Sequence, residues 1–183
     1  MMRRVMAPLA GAGLVLAVLA GALPAQGSRV RIAVAGHAAP VIVDSLATRF
    51  VLAAPRAATW TAVQEAFKAL EVQPDLIDPA RGMLGMTNVP KMRRLGRQPL
   101  SRLVSCGSGM MGPNADNWRV YLTVYAFVDA VGTDSTALRL AVVGGAKDVA
   151  GSSTDAVPCA STGALEEQLG ARVRRALADP APR

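Results

Sequence analysis

The sequence predicts an α+β fold: one antiparallel β-sheet with two helices packed on one face, in the order strands, helix, strands, helix. Three observations carry this. Residues 118–131 (WRVYLTVYAFVDAV) alternate without a break, with Trp118, Val120, Leu122, Val124, Ala126, Val128 and Ala130 on one side. Period-two alternation of that length marks a strand. Residues 59–70 (TWTAVQEAFKAL) place Trp60, Val63, Phe67 and Leu70 on one helical face. Residues 163–178 (GALEEQLGARVRRALA) place Leu165, Leu169, Val173, Ala176 and Leu177 in a second helical stripe.

The elements follow in order. Residues 1–27 read as an export signal: Arg3 and Arg4 open it, residues 9–23 are uncharged and apolar, and Pro24, Ala25, Gln26 and Gly27 follow. Cleavage is expected near Ala25 or Gly27. The alternative is an uncleaved anchor, but the run is short against the roughly 20 apolar residues that span a bilayer. Residues 28–178 then form a single domain, and residues 179–183 a frayed tail. Val30, Ile32 and Val34 alternate with Arg29, Arg31 and Ala33, and a hairpin from Val30 to Ile42 is one reading. Pro55 precedes the first helix, with Thr59 or Thr61 as its N-cap. Weak strands are expected over residues 72–77 and 83–89, around a turn at Asp78-Pro79-Ala80-Arg81-Gly82. Residues 90–117 are punctuated by proline and glycine and read as a long loop, divided by a short strand near residues 100–104. Gly132-Thr133-Asp134-Ser135 turns the long strand into a return strand over residues 136–144. Ser161 or Thr162 caps the last helix. Its Glu166 and Glu167 sit early and Arg172, Arg174 and Arg175 late, as the helix dipole favours.

Composition narrows the class. Aromatic residues are 4% of the chain, so the core is aliphatic. The formal charge is +7, and about +5 without the signal segment. In an exported protein such a balance points to anionic envelope surfaces rather than nucleic acid. No segment of the mature chain is long and apolar enough for a transmembrane helix. The two cysteines, Cys106 and Cys159, are expected to form a disulfide in an oxidising compartment, with free thiols or a metal site as alternatives. A metal site lacks ligands nearby in sequence, because His37 is the sole histidine.

The catalytic motifs are weak. Gly107-Ser108-Gly109-Met110-Met111-Gly112 has G-x-G-x-x-G spacing, but no following helix is expected to hold a phosphate. Ser108 has no nearby base, and Cys106 stands where a nucleophile elbow needs glycine. Asp116, Asp129, Asp134 and Asp148 flank the hairpin without an evident pairing. No cofactor is implied, and a non-catalytic protein is expected.

Two surfaces are candidates for binding. Lys91, Arg93, Arg94, Arg97 and Arg102 form a cationic cluster without nearby acids, suited to an anion contact. With both helices on the even-numbered face of the long strand, Arg119, Tyr121, Tyr125 and Phe127 are expected on an open outer face.

The layout, with Trp60 opening the first helix and a two-strand unit after it, resembles the small envelope domains of the outer-membrane assembly lipoprotein C type. The resemblance covers residues 50–178 as topology, without that family's lipid-attached cysteine, and implies a non-catalytic accessory module. The expected function is an exported binding or accessory module, its partner an envelope protein or an anionic envelope surface. A small-ligand carrier, with a pocket beside Trp60 and Phe67, and an exported hydrolase around Ser108, Asp116 or Asp129 are the alternatives.

Overall fold

The structure, a computed structural model, describes residues 29–151 and 155–179. The export signal over residues 1–27 and the tail from residue 180 lie outside the described residues. The elements in chain order begin with β1 (Arg31–Ile32), β2 (Val41–Ile42), β3 (Thr48–Leu52), α1 (Arg56–Ala69), β4 (Leu76–Asp78) and β5 (Met83–Met92). Then come β6 (Arg94–Leu95), β7 (Gln98–Pro99), β8 (Val104–Ser105), β9 (Ser108–Gly109), β10 (Gly112–Pro113) and the four-residue α2 (Asn114–Asn117). The chain closes with β11 (Arg119–Gly132), β12 (Ser135–Lys147), β13 (Ala156–Ser161) and α3 (Ala164–Ala178). The fold is therefore mixed α/β with an antiparallel main sheet.

The β11–β12 ribbon is the centre of that sheet, running in register from Arg119↔Lys147 to Gly132↔Ser135. β5 pairs the far side of β11, and β4 pairs β5. The outer edge of β12 is shared. β3 takes Thr136 to Leu140, and β13 takes Val143 to Lys147. Two short partners thus cover one long edge, which removes most of a template for unwanted strand pairing. Between Leu122 and Val124 the β5 register shifts, where Asn88 (φ 50°) forms a bulge and donates its N–H to the Thr123 hydroxyl at 2.9 Å.

The even-numbered face of the ribbon carries the main core. Val120, Leu122, Val124, Ala126 and Val128 of β11 share one buried cluster with Val63 and Phe67 of α1 and Leu165, Leu169 and Val173 of α3. α1 begins earlier than the sequence suggests. Pro55 (φ −66°) occupies the N-cap without a side-chain hydrogen bond, and Thr59, an expected cap, is instead buried inside the first turns. Arg56 fixes this start: its Nε donates to the Val128 carbonyl at 3.1 Å and its Nη2 to the Pro79 carbonyl at 2.6 Å. At α3, Gly163 (φ 82°) takes the N-cap. Ser161 Oγ accepts the Gly163 N–H at 2.9 Å, so it acts two positions before the N-cap that it was expected to occupy.

The odd-numbered face is the main departure from expectation. Tyr125 and Phe127 are each only 4% exposed. They share a second, smaller cluster with Val43, Met83 and Ala141, against which Val30, Ile32 and Ala47 pack. Residues 29–47 form a strap across the face, built on the β1–β2 hairpin (Arg31↔Ile42, Ile32↔Val41). Asn88 Nδ2 donates to the Ala33 carbonyl at 2.6 Å, and His37 Nε2 bonds the Gly144 carbonyl at 3.0 Å. The strap approaches most closely at Gly145, where a Cβ would stand 1.7 Å from the Ala35 oxygen. Only glycine allows the two backbones this near.

Residues 90–117 are not a single loop either. β5 runs on to Met92, the β6–β7 hairpin follows, and the expected short strand is β8 at Val104–Ser105.

Two predictions follow from this packing. Gly145→Ala forces the strap off the sheet, and a loss of about 1–3 kcal/mol is expected from chemical denaturation, with increased binding of an apolar dye as Tyr125 and Phe127 uncover. An unchanged midpoint would contradict the strap's seat. The second concerns Glu166, which is 3% exposed in the first turn of α3. Ser161 Oγ donates to its Oε1 at 2.6 Å, while Oε2 is buried without a partner among the described residues. Burial raises its pKa above the usual glutamate value near 4.5. A carboxyl with a raised folded-state pKa stabilises the fold below the unfolded value, and that contribution is lost as pH rises through the folded value. Glu166→Gln is therefore expected to melt higher than the native chain at pH 7, with the gap closing at pH 4. An equal gap at both pH values would contradict this.

Candidate functional site

The cationic cluster becomes a structured site. Lys91 lies near the end of β5 and is half-buried; Arg93, Arg94, Arg97 and Arg102 are exposed. Arg93 (φ 63°) and Gly96 (φ 55°) take left-handed backbone, which turns the chain sharply into and around the β6–β7 hairpin (Arg94↔Pro99, Leu95↔Gln98). Leu95, 4% exposed, anchors that hairpin in the core. The amides of Gln98 and Gln168 exchange two hydrogen bonds, one of them at 2.9 Å, and pin the hairpin to α3. The Leu100 N–H donates to the Arg93 carbonyl at 2.9 Å, closing its base. Arg94 Nη1 donates to the Arg97 carbonyl at 3.2 Å.

Cations outnumber acids at the site, where Glu71 shares a groove with Arg97. Among the described residues the ion pairs are Arg81–Asp78 at 4.0 Å and Arg139–Asp129 at 2.9 Å, so none of the five cations takes part in one. Helix α3 adds a sixth. Arg172 lines a surface groove of about 290 Å³ with Leu70, Glu71, Gly96, Arg97 and Gln98. In the sequence Arg172 is accounted for by the helix dipole, and its approach to Arg97 arises from the fold. Cations within a Debye length of about 8 Å repel one another, and a bound anion relieves that repulsion.

A disulfide braces the mount. Cys106 and Cys159 are bonded (S–S 2.04 Å) across 53 residues. A loop of that size stabilises by about 4 kcal/mol on the chain-entropy model. Beside it, Ala160 and Ser161 of β13 pair Ser105 and Val104 of β8. The Thr162 hydroxyl donates to the Arg102 carbonyl at 2.6 Å, so the backbone under this cation is held by the same joint.

The other candidate surface is not one surface. Arg119 is exposed at the start of β11 and Tyr121 is half-buried. Tyr125 and Phe127 lie under the strap: the Tyr125 hydroxyl bonds Thr87 Oγ1 at 2.9 Å, and the Arg139 guanidinium sits 4.8 Å from the Phe127 ring centre. The expected open aromatic face is therefore closed, because its apolar side chains needed a cover and residues 29–47 supply it.

The candidate catalytic groups are separate and structurally engaged. Asp116 Oδ1 accepts the Ser101 N–H at 2.9 Å, Asp129 is paired with Arg139, and His37 holds the strap. Ser108 is in β9, at the foot of a small hairpin. Among the described residues no group of three or more histidine, cysteine, aspartate or glutamate side chains could hold a metal ion. Phe67, expected beside a ligand pocket, is 1% exposed and packed in the main core. No family model matches the chain, and no curated protein or solved structure matches it.

Proposed function

We propose that this protein is an exported, non-catalytic binding module of the cell envelope that holds an anionic envelope surface through its basic hairpin. The observation that carries this is a set of five cations that form no ion pair among the described residues, on a mount fixed by the Gln98–Gln168 amides and the disulfide. A hairpin whose backbone is already held loses little backbone freedom on binding, which favours affinity. The net charge, +7 for the whole chain and about +5 without the signal segment, gives the long-range attraction the same sign. The layout read from the sequence, which resembles outer-membrane assembly lipoprotein C domains, is in keeping with an accessory role. Among the described residues no helix is long and apolar enough to cross a membrane, so a peripheral contact suits the chain. The engagement of Asp116 and Asp129 in structural contacts makes the hydrolase reading the weaker one.

The oxidised protein is expected to be retained on polyphosphate-coated beads at 50 mM NaCl and released by about 500 mM. The triple variant Arg93→Ala, Arg94→Ala, Arg97→Ala is expected to bind about tenfold more weakly or worse. Equal retention of the variant, or none by the native protein, would overturn the reading.

A further inference from the structure

The G-x-G-x-x-G segment, unused as a phosphate loop, folds into a two-residue hairpin. Gly109 pairs Gly112, and Met110 and Met111 form its tip. Gly112 (φ 96°) takes the left-handed position that closes the turn. Nothing in this geometry calls for methionine, since turn tips favour asparagine, aspartate and glycine. Yet Met110 is 106% exposed and Met111 is 85% exposed. The hairpin is also firmly held. Asn117 Nδ2 donates to the Met111 and Pro113 carbonyls at 3.0 Å each. The Asn114 N–H donates to the Gly107 carbonyl at 3.0 Å, and its buried Nδ2 to the Cys106 carbonyl at 3.1 Å.

The tip stands at the cationic end of the sheet. It lines a groove with Trp118, the residue before β11, and with Asp148, Ala150 and Gly151, just after β12. The adjoining sheet row is Met92↔Arg119↔Lys147, with Lys91 one step back and Arg93 one step on. Met92 and Val149 at this end are 45% and 48% exposed. Two nearby carboxylates are engaged by backbone amides, and a third, the exposed Asp155, precedes Ala156, the strand partner of Lys147. Asp148 Oδ1 accepts the Ala150 and Gly151 N–H groups at 3.0 Å each, and Asp116 accepts the Ser101 N–H. An apolar tip whose Met111 carbonyl is already hydrogen-bonded, set among lysine and arginine, has the two elements of interfacial lipid binding: apolar insertion and headgroup attraction. Either alone gives only marginal attachment.

We infer that the anionic surface is a lipid bilayer, and that Met110 and Met111 insert into its acyl region while Lys91, Arg93, Arg119 and Lys147 contact the headgroup phosphates. This rests on the proposed binding function and adds to it the occupant and the inserting residues. The test uses the oxidised full chain and vesicles of phosphatidylcholine with 30% phosphatidylglycerol. Met111→Trp is expected to show a blue-shifted emission on vesicle addition, above the native Trp60 and Trp118 signal, and quenching by lipids brominated on their acyl chains. The double variant Met110→Ser, Met111→Ser is expected to bind vesicles ten- to a hundredfold more weakly, with its salt dependence and its retention on polyphosphate beads unchanged. Vesicle binding without quenching, and without loss in the double variant, would overturn insertion while leaving the electrostatic reading intact. Retention on polyphosphate without vesicle binding would overturn the lipid assignment alone. Binding to neither would overturn both.

Discussion

A β-ribbon with two apolar faces has to be covered twice, and the rest of this structure depends on how that is done. On the even-numbered face of β11 and β12 the cover is α1 and α3, which bring Phe67, Leu165 and Leu169 into one aliphatic core. On the odd-numbered face the cover is a strap with little regular structure, seated where Gly145 admits the Ala35 carbonyl. The strap's own burial is modest, and His37 and Asn88 secure its backbone by hydrogen bonds. With both sheet faces closed, the groups left for recognition are those at the ends of the strands, in the connections between them and on the outer faces of the helices.

That constraint places the cations. The chain leaving β5 passes through Arg93 into a hairpin, then through Arg102 into β8 and the disulfide, before returning to start β11 at Arg119. Each segment is short and each is tied down. The unpaired charge is thus concentrated on backbone that does not need to be ordered on binding, which limits the entropic cost of association. The same traverse raises Met110 and Met111 away from the core. An exposed apolar pair beside cations is unfavourable in water alone and favourable at an interface that offers both phosphate and hydrocarbon.

Much of this was legible in the sequence because it follows from local periodicity. The long strand, its return through Gly132 to Ser135 and the last helix depend on alternation and turn residues close in the chain, and the disulfide on an even cysteine count. The sheltering of Tyr125 and Phe127 was not legible. It depends on contacts between residues 29–47 and a strand some 80–100 positions away, and alternation tells which residues share a face but not what covers it. Arg172 escaped notice for the same reason: its sequence neighbours explain it, and its approach to Arg97 exists only in three dimensions. The start of α1 is not legible either: the threonines are good cap residues, whereas Pro55 and the long reach of Arg56 to Val128 set the boundary. The tip methionines sit inside a glycine motif that masks them, although two large apolar residues in a turn are themselves a signal.

The most direct test of the claim that recognition resides at the sheet end is amide hydrogen exchange of the oxidised protein with and without anionic vesicles. Added protection confined to residues 91–98, 108–119 and 147–151, with residues 29–47 and both long helices unchanged, is the predicted result. Deprotection of residues 29–47, exposing the Tyr125 and Phe127 face on binding, would contradict it.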